Sequence, residues 1–438
     1  MSRRRVLLVS YHFPPVGGAG VQRPAKFARY LPEFGWDVSV LQAANPSVPL
    51  LDHSLLDDLP AGLVVAKART LEPSYAAKQA TGISTPASPV PARPSLLRRV
   101  ASTVLQPDPQ ILWYPDAMRE GRALLRRLPH DAILATAPSY TNLLVGARLA
   151  AWSGLPLLSD FRDEWDISST YWENAAQGKL VMGVQQRMQR AVLRRSRAIV
   201  ATTEASTARL AERAHEAGST AVARCIYNGW DAHDLEAASQ VAPAVPRDPA
   251  RVRLVYTGTL WNLTSVAPVI AAIRQLASDA PTLLSRLELV VVGRKTPEQQ
   301  ALLAPLPSLG VALADVPYCD HSVAIATMQS ADALLLLLSD VPGAERVAPA
   351  KVFEYLAVQR PMLAVMPDGE IATLVRDAQG GGHYLPSDVA GIAGWLRALL
   401  VNGPPAAPPE SAGARFERRA LAGQLATLLT TVTAGATR

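Results

Sequence analysis

Cysteine is scarce in this 438-residue sequence, with Cys225 and Cys319 as the only two. Two cysteines exclude a disulfide-stabilised scaffold and a metal site built from several cysteines. A low cysteine content also suits a reducing compartment, where disulfides are rare. We therefore expect a cytoplasmic protein.

Long apolar runs are missing as well. The run at residues 6–9 is far too short for the core of a signal peptide. The longest later run, at residues 333–338, falls well short of the roughly 20 residues that a membrane span needs. No basic run is interleaved with aromatic residues in a stacking arrangement, which argues against a nucleic-acid partner. The sequence therefore predicts no membrane span and no nucleic-acid binding.

Arginine is concentrated in the first half of the sequence, although the net charge of the chain is only +6. This concentration could attract an anionic membrane surface or a phosphorylated acceptor, or it could simply solvate helix faces. A short amphipathic pattern at residues 96–105 leaves the same choice between a membrane surface and packing on the chain's own lobe. Contact with the inner face of the cell membrane is therefore one of two expectations. The arginines are Arg98, Arg99, Arg119, Arg122, Arg126, Arg127, Arg187, Arg190, Arg194, Arg195 and Arg197.

Strand-like apolar runs alternate with helical patterns along most of the chain. Such alternation predicts parallel sheets covered by helices, and the length favours two lobes. A proline- and alanine-rich stretch separates two series of strands. We predict an α/β protein with an N-terminal Rossmann-like lobe at residues 1–235, a linker at 236–250, a second lobe at 251–410, and a tail at 411–438 that ends in a helix. A proline-rich excursion at 70–115 leaves the first sheet.

Two segments are suited to binding an anionic ligand. Gly17 and Gly18 lie between the first strand and the first helix, where a glycine backbone can approach a ligand closely and the helix start favours negative groups. A structural turn explains this loop equally well. In the second lobe, Lys351 and Glu354 open a helix, so that the amine can meet phosphate and the carboxylate can accept both hydroxyls of a ribose. The alternative is a surface Glu on an amphipathic helix.

A polar cluster follows the strand-like run at residues 155–158. Asp160, Arg162 and Asp163 should project from the carboxyl end of that strand, where a carboxylate could orient or deprotonate an acceptor hydroxyl and Arg162 could hold a phosphate. An internal ion pair that stiffens the loop is the competing explanation. His12 is a further catalytic candidate, or an ordinary turn histidine.

Four segments together resemble the signature blocks of bacterial glycosyltransferases of the family 4 group, which have the GT-B fold. They are YHFPPVGG at 11–18, DFRDEW at 160–165, YTGTL at 256–260, and KVFEYLA at 351–357 followed by RP at 360–361. The blocks fall in the right order, and the similarity runs from the first strand to about Gly382. Four blocks are more specific than any one.

The resemblance implies two Rossmann-like lobes whose parallel sheets face each other across a cleft. It also implies retaining transfer of a sugar from a UDP- or GDP-linked donor. By this similarity Glu354 binds the donor ribose, Gly258 and Thr259 lie beside the diphosphate, and Gly17 and Gly18 abut the donor from across the cleft. The implied acceptor, expected to be a lipid-linked saccharide of cell-surface polysaccharide assembly, occupies the first lobe.

The sequence departs from the family pattern in its charged residues. Family members often carry a second Glu eight positions before the ribose Glu, and Arg346 stands there instead. A basic pair after the first strand of the second lobe is also missing. A cation should still offset the leaving diphosphate, and the candidates are Arg294, Lys295, Arg346 and Lys351, of which the last two flank the nucleotide helix. Since side chains can hold the diphosphate and no cluster has metal-ligand spacing, we expect no metal cofactor.

Two other functions remain open at this stage. A nucleotide-sugar epimerase on the same fold would need acidic and basic residues on both sides of the sugar ring. A nucleotide-sugar-binding scaffold without catalysis would explain the absent second Glu.

Overall fold

The computed structural model describes residues 3–80, 103–165 and 178–434. Within these ranges the chain forms two compact units. The second is Gly229–Glu417, and the first combines the described residues before it with the segment from Arg418 onward. These boundaries differ from the predicted linker at 236–250 and the predicted tail from 411.

The first unit is built on a parallel sheet of 7 strands in the order β3-β2-β1-β4-β5-β6-β7. Apolar residues fill both faces of its central strands because helices cover both sides. The strands are β1 (Arg4–Val9), β2 (Trp36–Ala43), β3 (Val64–Ala68), β4 (Ala132–Ala137), β5 (Leu157–Phe161), β6 (Ser196–Ala201) and β7 (Val222–Cys225). The helices are α1 (Ala19–Tyr30), α2 (Tyr75–Ala80), α3 (Tyr114–Arg127), α4 (Thr141–Ser153), α5 (Lys179–Arg195) and α6 (Glu204–Glu216).

The second unit repeats this plan with a parallel sheet of 6 strands in the order β10-β9-β8-β11-β12-β13. The strands are β8 (Val252–Thr257), β9 (Leu287–Val292), β10 (Ala312–Val316), β11 (Ala333–Leu337), β12 (Met362–Val365) and β13 (Gly381–Tyr384). The helices are α7 (Ala232–Ala238), α8 (Ala267–Asp279), α9 (Pro297–Leu303), α10 (His321–Gln329), α11 (Lys351–Val358), α12 (Glu370–Asp377), α13 (Val389–Asn402) and α14 (Ser411–Ala414). The predicted α/β class with two Rossmann-like parallel sheets is confirmed.

The last helix, α15 (Arg418–Ala434), belongs to the first unit. Leu425 and Leu429 are buried in the same apolar cluster as Trp36. The Trp36 indole Nε1 donates a hydrogen bond to Thr430 Oγ1 at 3.2 Å. The chain therefore returns to the first sheet after completing the second.

Part of the predicted linker is attached to the base of the second sheet. The guanidinium of Arg253, at the start of β8, is fully buried and donates to Glu288 Oε2 at 2.7 Å. It also donates to the carbonyl oxygens of Val245 at 3.0 Å and Pro246 at 2.6 Å. These bonds satisfy a buried charge and hold the incoming chain against the sheet.

The described residues include only part of the predicted proline-rich excursion. Its residues 81–102, with most of the amphipathic pattern at 96–105, lie outside the described residues. The described flanks contain α2 and the start of α3. Among the helices that the structure describes, none combines the length and apolarity needed to cross a membrane.

Candidate functional site

The strand order of the second sheet reverses between β8 and β11, which are neighbours in the sheet although they are not consecutive in the chain. Ligands of open parallel sheets bind at the carboxyl ends of the strands at such a switch point. The loops after the two strands are joined there, because Ser339 donates from its N–H to the Leu263 carbonyl at 2.8 Å and from Oγ to the Asn262 carbonyl at 2.6 Å. A ligand site in the second unit is therefore expected at this edge of the sheet.

Gly258 and Gly293 form the floor of this edge. Both have positive φ, 120° and 122°, which side chains rarely adopt. The Gly258 N–H donates to the Val292 carbonyl at 2.8 Å, and a Cβ on Gly293 would lie 2.4 Å from the Gly258 carbonyl oxygen. Only glycine fits both positions. Gly258 and the next residue, Thr259, are exposed, so their backbone is open to a ligand.

The amine of Lys351 lies directly above this floor. A Cβ on Gly258 would come within 2.7 Å of Lys351 Nζ. The amine donates to Tyr256 Oη at 2.7 Å and lies 3.9 Å from the centre of the same ring. Tyr256 in turn donates to the Thr259 carbonyl at 2.8 Å. Burial lowers the pKa of the Lys351 ammonium to about 7, and the nearby Glu354 carboxylate only partly offsets this effect.

Glu354 lies in the first turn of the same helix, and a histidine that the sequence analysis did not single out contacts its carboxylate. His321 Nε2 lies 3.0 Å from Glu354 Oε1. On the other side of the ring, His321 Nδ1 lies 3.7 Å from Asp234 Oδ2. Neither His321 nor Asp234 belongs to a recognisable motif. They come together with Glu354 because α10 packs against α7 on one side and against α11 on the other.

The other predicted cations lie in different surroundings. The Lys295 side chain is 2% exposed, and its amine donates to the carbonyl oxygens of Gly293 and Val316 at 2.8 and 2.7 Å and pairs with Asp315. It is therefore committed to tying β9 to β10. The Arg294 side chain is exposed, and Arg346 donates to the neighbouring Glu345 at 2.6 Å.

The first sheet has its own switch point between β1 and β4, where the glycine loop meets Arg162. Gly18 has a φ of 102° and precedes α1, and Gly17 packs against Leu50 so closely that a Cβ would lie 2.7 Å from its side chain. A Cβ on Gly20 would lie 2.8 Å from Arg162 Nη1. Glycine therefore lets the guanidinium lie against the start of α1.

His12 is partly buried in the same loop. Burial and, to a smaller extent, the Arg162 charge lower the pKa of His12 to about 4. The imidazole is therefore neutral at neutral pH and keeps one ring nitrogen that can accept a hydrogen bond. The charge of Arg162 acts on His12, and the catalytic role of His12 stays a prediction.

Asp160 forms an internal ion pair, the alternative that the sequence also allowed, and its catalytic role stays a prediction. The carboxylate is 1% exposed and accepts from Arg23 Nε at 3.0 Å and Arg23 Nη2 at 2.9 Å. Thr136 Oγ1 donates to it at 2.8 Å. A carboxylate that is buried and has this many partners has little capacity left for a further hydroxyl donor.

Asp163 is the more accessible carboxylate of this loop. Its side chain is 43% exposed and accepts from Arg162 Nη2 at 3.0 Å and Nε at 3.3 Å. Arg162 itself is anchored by its backbone, because Thr202 Oγ1 donates to its carbonyl at 2.8 Å. The pair can meet an approaching ligand with both a positive and a negative group.

Residues 17–229 match the family model of the glycosyl transferase 4-like domain. The matched segment ends where the second unit begins. The match concerns the first unit, and two units built on Rossmann-like parallel sheets are the architecture of the GT-B fold. No curated protein matches the chain in sequence.

Three solved structures illustrate this similarity over nearly the whole chain. Sucrose-phosphate synthase from Thermosynechococcus elongatus is 15% identical with a TM-score of 0.65, and the match covers 99% of this chain and 100% of that one. HepE from Anabaena, crystallised with UDP and glucose, is 16% identical with a TM-score of 0.59, covering 98% and 100%. The lipopolysaccharide outer core galactosyltransferase WaaB is 12% identical with a TM-score of 0.56, covering 98% and 99%. At these identities the likeness concerns the fold.

Proposed function

We propose that the protein is a glycosyltransferase that moves one sugar from a nucleotide diphosphate donor to an acceptor. One observation carries the donor half of this proposal. Lys351 Nζ lies over the Gly258 backbone, and Glu354 projects from the same helix start, so a cation and a carboxylate stand together at the switch point of the second sheet. A diphosphate and a ribose need these two groups in this order.

In the proposed donor complex, Lys351 meets the diphosphate and Glu354 accepts hydrogen bonds from the ribose hydroxyls. Gly258 and Thr259 let the phosphates approach the backbone. We favour Lys351 among the four candidates because its amine lies over the Gly258 backbone, whereas Lys295 is bonded to strand carbonyls. We propose that this side-chain charge offsets the leaving diphosphate without a metal. Activity that survives EDTA would support this, and loss that Mg²⁺ restores would contradict it.

The acceptor half of the proposal concerns the first unit. Arg162 can hold a phosphate of a lipid-linked saccharide, with Asp163 and His12 close by to orient the acceptor hydroxyl. We propose retaining transfer in cell-surface polysaccharide assembly, at the cytoplasmic face of the membrane. Similarity to WaaB and HepE in fold motivates the choice of acceptors and donors to test.

Transfer is tested by incubating the purified protein with radiolabelled UDP- and GDP-sugars and a bacterial membrane extract. Label in the lipid fraction is the expected result, and NMR of the product should show the anomeric configuration of the donor. Interconversion of the donor sugar would indicate an epimerase instead. Saturable binding without turnover would indicate a scaffold.

Replacement of Glu354 tests the donor site directly. We expect Glu354→Ala to weaken binding of UDP or GDP by about 1–3 kcal/mol, through loss of charged hydrogen bonds, while the fold survives. Glu298→Ala is the matched control, because Glu298 also lies in the first turn of a helix of this unit but is exposed. Equal nucleotide affinity in the two folded variants would refute the assignment of Glu354.

A further inference from the structure

Three ionisable side chains from three different helices contact one another in sequence, beginning with Glu354 of the proposed donor site. Glu354 from α11, His321 from α10 and Asp234 from α7 meet through the two nitrogens of the imidazole. Their side chains are 15%, 25% and 12% exposed, so water competes weakly for their polar atoms. An interaction in such a setting is stronger than the same contact on an open surface.

The contact to Glu354 constrains one oxygen of the carboxylate. His321 Nε2 lies 3.0 Å from Oε1, and a carboxylate offers about four lone-pair sites on its two oxygens. A glutamate side chain otherwise samples several rotamers, and freezing it at the moment of binding costs affinity.

A carboxylate lies on each side of the ring. Asp234 Oδ2 is 3.7 Å from His321 Nδ1, which is beyond hydrogen-bond distance. On the other side, an ionised carboxylate can only accept a hydrogen bond, so the 3.0 Å contact with Glu354 Oε1 needs a proton on Nε2. The ring therefore presents N–H, and not a lone pair, to Glu354.

We propose that His321 is a positioning residue that holds Glu354 in place to bind the hydroxyls of the donor ribose. This inference rests on the proposed donor site. It predicts that removing the His321 donor weakens recognition of the ribose hydroxyls more than recognition of the rest of the nucleotide.

The experiment compares one replacement of His321 that keeps a hydrogen-bond donor with one that removes it. His321→Gln can place an amide N–H near the position of Nε2, whereas His321→Phe keeps a ring and has no donor. Isothermal titration calorimetry measures the dissociation constants of UDP and GDP and of their 2′-deoxy and 3′-deoxy counterparts. The readout is the ratio of deoxy to ribo dissociation constants. His215→Asn, an exposed histidine of the first unit, is the control, and thermal unfolding checks that each variant is folded.

We expect wild type and His215→Asn to share a ratio of about tenfold or more, since a lost hydrogen bond to a charged group has this effect. His321→Phe should lower the ratio to about threefold or less, with His321→Gln in between or close to wild type. A folded His321→Phe variant that binds every nucleotide more weakly but keeps the wild-type ratio would overturn the proposal, because the histidine would then be only structural.

Glu354→Ala separates failure of this inference from failure of the proposed function. If Glu354→Ala abolishes the ratio and His321→Phe does not, the donor site stands and the positioning role falls. If Glu354→Ala keeps both the ratio and the affinity, the ribose assignment itself is wrong. Absence of UDP and GDP binding to the wild-type protein would overturn both.

Discussion

Lys351 should make nucleotide binding depend on pH in a way that can be measured as proton uptake. Burial lowers the pKa of its ammonium to about 7, whereas an exposed lysine titrates near 10.5. At pH 8 about 90% of the free protein therefore carries a neutral amine at this position. A diphosphate placed against the amine favours the charged form and raises its pKa. Binding at pH 8 should then take up about 0.9 of a proton, and above pH 7 the affinity should fall by up to about tenfold per pH unit.

The assay is titration of the wild-type protein with UDP or GDP at pH 8 in buffers of different ionisation enthalpy. The dependence of the observed enthalpy on that of the buffer gives the number of protons exchanged. The phosphates of the nucleotide do not titrate above pH 7.5, because their second pKa is near 6. Lys351→Met should show weak, pH-independent binding. Lys351→Arg, whose side chain stays charged, should show no uptake. Zero uptake by the wild type at pH 8 would refute the assignment of Lys351 to the diphosphate.

The same shift has the opposite effect on the stability of the unliganded protein. The unfolded chain keeps a proton on Lys351 up to about pH 10.5, whereas the folded chain releases it above about pH 7. The free energy of unfolding should therefore rise with pH between these values, by at most about 1.4 kcal/mol per pH unit. The destabilisation caused by burying the charged amine is greatest below pH 7. Lys351→Met lacks the buried charge, so it should unfold at a higher temperature than the wild type at pH 7. This advantage of the variant should shrink from pH 7 to pH 9. A difference that grows over this range would contradict the sign.

Three further substitutions test other parts of the structure. Gly258→Ala should weaken nucleotide binding at least tenfold in a folded protein, as measured by nucleotide titration. The new Cβ would displace the Lys351 amine, and a φ of 120° is strained for alanine. Arg253→Met should cost about 3–5 kcal/mol of unfolding free energy in urea, because Glu288 would be left buried without its partner. Leu425→Ala should cost about 2–5 kcal/mol through the cavity left in the first unit, with little change in nucleotide affinity of the protein that stays folded.

Hydrophobic pattern alone was enough to predict the two parallel sheets. The apolar run at 333–338 corresponds to β11 (Ala333–Leu337), and the run at 6–9 lies within β1 (Arg4–Val9). Central parallel strands are buried on both faces, so they appear as continuous apolar runs. The pattern of α15 predicted a helix near the chain's end, but an amphipathic stripe does not specify which surface it will cover.

Side-chain partners were much harder to predict than elements. Asp160 follows a strand as a catalytic carboxylate would, yet its partner Arg23 lies 137 positions away and forms part of α1. Lys295 was likewise a candidate cation for the diphosphate, but its amine donates to carbonyl oxygens at the ends of two strands. His321 carries no motif at all. Contacts between side chains so far apart in the sequence depend on how helices and strands pack together, and the spacing of residues along the chain does not predict them.

The helix α15 has a consequence for the order in which the protein can be made. The residues that complete the first unit, 418–434, leave the ribosome only after the whole of the second unit has been synthesised. Until then the surface around Trp36 that α15 covers has no native cover, and nascent chains with such exposed apolar surface are prone to aggregate or to recruit chaperones. A protein cut after residue 228 would keep that surface permanently exposed. Joining residues 418–434 to it through a short flexible linker should restore a soluble first unit.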